Sequence, residues 1–174
     1  RKPPADRPSQ VDVVFAFDIS RSMTAEDVTP SRLDRSVAVA RNVAETLPSG
    51  MFGIVLFTGE GLLYLPVTSD RAALFRYLEG VSENALTSPG TDLAEGIRTA
   101  ASAFPGVRDA RTCIVLFTDG ESHTGRPREA ALEIVDAGIE LEVVGAGTER
   151  PTNIPTEDGV LLDTSGRPVE TALQ

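Results

Sequence analysis

The chain has 174 residues, of which 41% are hydrophobic, and 26 acidic against 16 basic side chains give it a formal net charge of -10. This length suits one domain with a sizeable core. A nucleic-acid partner would require a concentrated basic patch, which the scattered arginines do not form, so we expect none. The single cysteine excludes an intrachain disulfide and leaves the cellular compartment open. No apolar run reaches the ~20 residues of a membrane helix.

The order of apolar runs and amphipathic stretches predicts three regions. Residues 1–10 are rich in proline and predict a linker or entry arm. Residues 11–150 predict one α/β domain, and residues 151–174 predict a small hairpin or extended arm. In chain order we expect a strand at 11–17, a helix at 31–47, a hairpin of strands at 52–58 and 62–68, helices at 69–81 and 92–104, a strand at 112–118, a helix at 127–137 and a strand at 139–145.

Strands that alternate with helices predict a mostly parallel sheet with helices on both faces. The apolar runs at 11–17 and 112–118 are nearly continuous, as expected for strands buried on both faces. The short glycine connection between 52–58 and 62–68 adds one antiparallel strand.

Three polar segments flank these elements. Asp18, Ser20 and Ser22 follow the first strand, Thr91 precedes the third helix, and Asp119 follows a later buried strand. Open α/β sheets bind ligands at the carboxyl ends of their strands, where the strand order reverses. If these two strands are neighbours at such a reversal, the two aspartates lie side by side and the other loops can close over them.

The oxygen atoms of these side chains predict a metal site. Ser20, Ser22 and Thr91 offer hydroxyls, Asp18 and Asp119 offer carboxylates, and no nitrogen or sulfur ligand is present. Such a set suits Mg²⁺, Mn²⁺ or Ca²⁺ and disfavours Zn²⁺ or copper. If the neutral hydroxyls bind directly, much of the ion's charge stays available for an anionic ligand from outside, typically a carboxylate.

Each of these five residues also has a purely structural alternative. Asp18 and Asp119 occupy positions typical of turns or caps. Ser20 and Ser22 could be loop serines that bind backbone amides. Thr91 could cap the third helix, with or without binding metal.

Three further side chains are candidates for a second shell or rim around the ion, namely Asp92, Glu121 and His123. The simpler alternative for Asp92 is a helix-dipole partner. For Glu121 it is a solvated charge, and for His123 a solvated loop histidine.

These residues resemble the von Willebrand factor type A family and its metal-ion-dependent adhesion site. That family's D-x-S-x-S motif corresponds to Asp18, Ser20 and Ser22, followed by Thr91 and Asp119. The resemblance implies that the serines, and often the threonine, coordinate the ion, while the aspartates frequently act through water. It also implies a doubly wound, Rossmann-like open sheet with one antiparallel edge strand. The family fold normally closes with another helix and strand, which the sequence after residue 150 does not predict.

A closer likeness is to the bacterial Bat, or aerotolerance-type, subgroup. It is carried by Ser22-Met23, by Asp27-Val-Thr-Pro-Ser-Arg-Leu33 and by the stretch Thr-Asp-Gly-Glu-Ser-His-Thr-Gly at 118–125. The arm at Ile154–Leu173 also resembles that subgroup's insertion after strand five. Because Bat proteins are usually membrane-anchored, the likeness implies an extracytoplasmic domain with an anchor outside this chain.

Together these features imply a binding module, not an enzyme, that uses its cation to bind an acidic group of a partner protein. The alternative is a metal-dependent phosphoryl-transfer or hydrolytic enzyme, which requires a positioned base and a charge-stabilising Lys or Arg. The sole histidine is His123, Arg21 is the nearby cation, and no phosphate-binding glycine loop is present. A dinucleotide site is set aside because the first strand lacks the G-x-G-x-x-G that should follow it. Partner identity and oligomeric state stay open.

Overall fold

The computed structural model describes residues 10–86, 88–106, 110–122 and 124–174. Except for Gln10, the linker predicted over residues 1–10 lies outside the described residues. The rim candidate His123 also lies outside them.

A five-stranded sheet forms the centre of the domain. Its strands are β1 (Val11–Asp18), β2 (Phe52–Phe57), β3 (Gly61–Thr68), β4 (Arg111–Thr118) and β5 (Glu140–Gly145). Their spatial order is β3-β2-β1-β4-β5. All neighbours are parallel except β3, which pairs antiparallel with β2 at one edge. The sheet therefore confirms the predicted fold class, and its strand order reverses between β1 and β4.

In the described part of the chain, four α-helices cover the two faces of the sheet, as predicted. One face carries α1 (Arg32–Thr46) and α2 (Arg71–Glu79), whose Leu33 and Leu74 belong to the same buried cluster as Phe15 of β1. The other carries α3 (Leu93–Ser102) and α4 (Pro127–Asp136), whose Ile97 and Ile134 belong to the same buried cluster as Val14. Successive residues of a strand point to opposite faces, so β1 is buried on both sides. Each large apolar side chain buried this way contributes about 1.5–3 kcal/mol.

The helix that follows the second motif begins one residue later than predicted. Asp92 is its N-cap, and its side chain accepts a hydrogen bond of 3.0 Å from the backbone N–H of Glu95. This leaves Thr91 outside the helix, so the capping alternative for that residue is wrong. Ser31 caps α1 in the predicted manner by accepting from the N–H of Asp34.

Residues 151–174 form a segment of short antiparallel pairings, here called the C-terminal arm. It contains β6 (Thr152–Asn153), β7 (Pro155–Thr156), β8 (Gly159–Val160) and β9 (Glu170–Thr171). β6 pairs with β9, and β7 pairs with β8. In the part of the chain that is described, no helix has the length and apolar character needed to span a membrane.

Candidate metal centre at the switch point

The two motif aspartates emerge at the same edge of the sheet. β1 and β4 are parallel neighbours with Phe17 opposite Phe117, so the carboxyl ends of both strands stop together. Asp18 and Asp119 are both completely buried. The predicted convergence of these two segments is thus confirmed.

The residues after β1 bring two hydroxyl groups together. Oδ1 of Asp18 accepts a hydrogen bond of 2.9 Å from the backbone N–H of Ser20. A short 3₁₀ turn over Arg21–Thr24 follows, and its Met23 is buried in the core. The turn sets the hydroxyl oxygens of Ser20 and Ser22 only 3.1 Å apart.

Asp18 is a buried carboxylate that has no Lys or Arg side chain paired with it among the described residues. Its Oδ2 accepts a hydrogen bond of 2.8 Å from the hydroxyl of Thr118. Burial raises the pKa of Asp18 to about 6, although hydrogen bonds from Ser20 and Thr118 oppose the shift, and the nearby charge of Asp119 adds to it. Within the described ranges no Lys or Arg forms an ion pair with it. Because a buried charge is costly unless it is paired or binds metal, the site favours a positive ion.

The spacing of the serine hydroxyls fits a small cation. Two ligands in adjacent octahedral positions around Mg²⁺, each at ~2.1 Å, lie ~3.0 Å apart. The observed separation between Ser20 and Ser22 is 3.1 Å. Thr91 is 2% exposed and lines the same cavity of about 660 Å³ as both serines. The residues present therefore fit Mg²⁺, which in such a site supplies positive charge and an open coordination position.

The hydroxyl oxygens are essential members of the candidate set of metal ligands. Among the residues that the structure describes, no three or more Asp, Glu, His or Cys side chains are grouped so that they could hold a metal. A cation would depend on the two serines and the threonine together with the two aspartates.

A buried arginine that the sequence analysis did not predict holds the third motif. Nη1 of Arg32 donates to Oδ2 of Asp119 at 2.9 Å, and neither side chain is exposed. Nε and Nη2 of Arg32 donate to the two oxygens of Asp27, at 2.8 and 3.1 Å. The other oxygen of Asp119 accepts from the backbone N–H of Glu121 at 3.1 Å. Both oxygens of Asp119 are therefore fixed in direction.

Asp27 is held both by Arg32 of α1 and by Thr148, which follows β5. Its Oδ2 accepts from the backbone N–H and the hydroxyl of Thr148, at 2.6 and 3.0 Å. Burial acts to raise the pKa of Asp27, but the hydrogen bonds from Arg32 and Thr148 and the charge of Arg32 outweigh it, so the pKa lies below its ordinary value.

The C-terminal arm is attached to the same network. The hydroxyl of Thr171 lies 2.7 Å from Oε1 of Glu121 and accepts from Nη1 of Arg32 at 3.0 Å. The backbone N–H of Gln174 donates to the carbonyl of Asp119 at 2.8 Å. The arm is therefore part of the wall around the site.

The structure separates the three rim candidates. Glu121 lines the cavity together with the serines. Asp92 caps α3 and accepts a hydrogen bond of 3.2 Å from the hydroxyl of Thr124, which favours its structural alternative. His123 lies outside the described residues.

Thr58 is a cavity residue that the sequence analysis missed. It directly follows β2, and its carbonyl accepts from the backbone N–H of Asp92 at 2.8 Å. Its hydroxyl is buried and has no hydrogen-bond partner in the described part of the chain. A polar side chain directly after a buried parallel strand is the same signal that identified Asp18, so the sequence contained the clue.

The domain is therefore a doubly wound α/β domain with serine, threonine and aspartate side chains at its switch point, which defines the class of von Willebrand factor type A domains. The von Willebrand factor type A domain family matches residues 13–121, and the chain belongs to this family. The resemblance stated from the sequence is therefore confirmed.

Two solved structures extend the likeness to Bat proteins. A conserved hypothetical protein, BatB, from Bacteroides thetaiotaomicron is 33% identical with a TM-score of 0.91, over 94% of this chain and 81% of that one. An aerotolerance-related membrane protein from Bacteroides fragilis is 33% identical with a TM-score of 0.89, over 94% of this chain and 82% of that one. The likeness to the Bat subgroup is thus confirmed.

A more distant neighbour shares the fold. Proximal thread matrix protein 1 of the mussel byssus, described with a zinc-occupied MIDAS motif, is 16% identical with a TM-score of 0.67, over 79% of this chain and 38% of that one. Among curated sequences the chain is similar to UPF0353 proteins of Mycobacterium and Nocardia species. It spans about half the length of those relatives, 50% for the protein of Nocardia farcinica, which is 29% identical.

Proposed function

We propose that this domain is a divalent-cation-dependent interaction module that binds an acidic group of a partner protein. The cation would be held by Ser20, Ser22 and Thr91, with Asp18 and Asp119 acting directly or through water. The observation that carries the proposal is the pair of serine hydroxyls, 3.1 Å apart, directly after a fully buried carboxylate that has no cation beside it in the described residues. One Bat neighbour is described as a membrane protein. In the extracytoplasmic setting that the family resemblance implies, such a domain would act on a neighbouring protein at the membrane.

The preference for an acidic partner follows from charge. Two carboxylates can formally neutralise a dication, but Asp119 is already paired with Arg32. The ion would retain positive charge toward the cavity, where a carboxylate from another molecule can complete its coordination. In a chain with a net charge of -10, this would be a local point of attraction for an anion.

The test is a titration of Mg²⁺, Mn²⁺, Ca²⁺ and Zn²⁺ followed by amide NMR. Zinc is included because the mussel neighbour is described with that ion. We expect Mg²⁺ or Mn²⁺ to shift signals near residues 18–24, 88–93 and 118–122. The double variant Ser20→Ala, Ser22→Ala should lose these shifts, whereas Ser69→Ala, at an exposed serine, should keep them. No shift at millimolar metal would overturn the proposal.

We propose further that the domain has no catalytic activity of its own. Arg32, which is paired with the motif residue Asp119, is fully buried and occupied by Asp27 and Asp119, so it cannot reach a phosphate group. In the described part of the chain, Arg21 is the one basic side chain that lines the cavity, and no lysine stands beside it there. Metal-dependent hydrolysis of a generic phosphate ester that disappears in Asp18→Ala would contradict this.

A further inference from the structure

The cavity at the switch point is much larger than one carboxylate requires. Its volume of about 660 Å³ lies within the range of small-ligand pockets, about 300–1,000 Å³. The motif hydroxyls of Ser20, Ser22 and Thr91 form part of its wall. A partner that reached only the cation would leave most of this space unfilled.

Part of the remaining wall is apolar and comes from two segments that are distant along the chain. Leu86 precedes the second motif, and Ile154, Leu161 and Val169 belong to the C-terminal arm. Ile154 is buried, while Leu161 and Val169 are half-buried. Apolar side chains that line a cavity beside a charged centre can contact an apolar group carried next to the bound anion.

The arm that supplies these side chains is fixed in place. Besides Thr171, its last residues bind the domain through the N–H of Leu173, which donates to the carbonyl of Thr148 at 2.9 Å. Within the arm, the N–H of Val169 donates to the carbonyl of Leu161, and the N–H of Leu161 donates to the carbonyl of Ile154, both at 2.8 Å. The apolar wall is therefore formed before a partner binds.

We propose that the cavity receives a segment of the partner protein in which one aspartate or glutamate adjoins a large aliphatic residue. This inference rests on the proposed function: the carboxylate completes the coordination of the cation, and the aliphatic side chain contacts Leu86, Leu161 and Val169. Glu83 and Glu121 also line the cavity, against one basic side chain, Arg21, so a second acidic residue in the segment would meet a wall with more negative than positive charge. The site selects a single acid beside an aliphatic side chain, not a run of acids.

The test uses three blocked synthetic peptides added to the Mg²⁺-loaded protein and followed by amide NMR. They are Gly-Leu-Asp-Gly, Gly-Ser-Asp-Gly and Gly-Leu-Asn-Gly. The leucine–aspartate peptide should bind roughly tenfold more tightly than the serine–aspartate peptide, as expected for one buried aliphatic side chain. The asparagine peptide should not bind, because it has no carboxylate.

Variants of the arm locate the aliphatic contact. Leu161→Ser should remove the preference for the leucine peptide and leave Mg²⁺ binding unchanged. Leu162→Ser is the matched control, because Leu162 is the next residue, is 53% exposed and does not line the cavity. Val169→Ala provides a second cavity variant with a smaller change in the arm.

The outcomes separate this inference from the proposed function. If Mg²⁺ does not bind, both fail. If Mg²⁺ binds but no peptide does at millimolar concentration, or both aspartate peptides bind equally, the function stands and this inference is overturned. Loss of the preference in Leu162→Ser but not in Leu161→Ser would also overturn it.

Discussion

Nη1 of Arg32 and Oδ2 of Asp119 form a fully buried ion pair with a length of 2.9 Å. The pair joins the first residue of α1 to the residue that follows β4, 87 positions later in the chain. Since Arg32 also binds Asp27 and Thr171, one guanidinium connects the third motif, the loop before α1 and the C-terminal arm.

Replacing this arginine should destabilise the domain strongly. Arg32→Met keeps a long side chain but leaves Asp27 and Asp119 without their cation, and breaking a buried pair in this way costs roughly 3–5 kcal/mol. Arg32→Lys keeps the charge but loses the forked geometry, so we expect a smaller loss. Urea unfolding measures both. Arg35→Met, at an exposed position of the same helix, should change the free energy of unfolding little, and an equal loss there would contradict this role for Arg32.

The lowered pKa of Asp27 makes part of the stability dependent on pH. Its carboxyl group has an ordinary value of 3.8, and Arg32 and Thr148 hold the folded value below that. The unfolded chain therefore takes up the proton first on acidification. The contribution of Asp27 is complete above about pH 4 and is lost as the pH falls through the folded pKa.

The variant Asp27→Asn tests this dependence. The difference in free energy of unfolding between the natural chain and Asp27→Asn should be largest near neutral pH and shrink below about pH 4. Asp136→Asn, at an exposed position, corrects for the general effect of removing one carboxylate. A difference that stays constant between neutral and acidic pH would show that the lowered pKa contributes nothing.

The unpartnered hydroxyl of Thr58 predicts opposite effects on stability and metal binding. Thr58→Val keeps the shape of the side chain and removes a buried polar atom that has no partner in the described residues. We expect the free energy of unfolding of the metal-free protein to rise by about 1 kcal/mol. The affinity for Mg²⁺ should fall several-fold, because a cavity hydroxyl that can bind a metal-bound water is lost.

Thr118→Val provides the matched comparison for that prediction. The hydroxyl of Thr118 donates to Asp18 and accepts from the backbone N–H of Gly120, so its removal should lower the free energy of unfolding by about 1–3 kcal/mol. Chemical denaturation and calorimetric titration measure both variants. Equal destabilisation by the two substitutions would mean that the Thr58 hydroxyl does have a partner in the folded chain.

The sequence predicted the sheet and the convergence of the motifs because both depend on local patterns. Continuous apolar runs identify strands buried on both faces, and the carboxyl ends of parallel strands share one edge. The role of Arg32 could not be predicted in this way. An arginine in the first turn of an amphipathic helix is normally a surface residue, and here its burial depends on Asp119 and Thr171, which are brought to it only by the folded sheet and the arm.

The position of α3 against the sheet sets where the second motif lies, and Gly96 controls that packing. A β-carbon added at Gly96 would lie 2.7 Å from the ring of Phe57, which is completely buried in β2. Gly96→Ala gains about 1 kcal/mol of helix propensity. Overpacking of a core costs typically 1–3 kcal/mol, so we expect a net loss of stability.

The same substitution should weaken Mg²⁺ binding, because α3 must move away from β2 and Thr91 lies just before its N-cap. Gly106→Ala is the control, since a β-carbon there meets nothing within 4 Å. Thermal unfolding and a Mg²⁺ titration of both variants measure the two effects. If Gly96→Ala lost stability but bound Mg²⁺ as tightly as the natural chain, the prediction that the packing of α3 sets the position of Thr91 would be wrong.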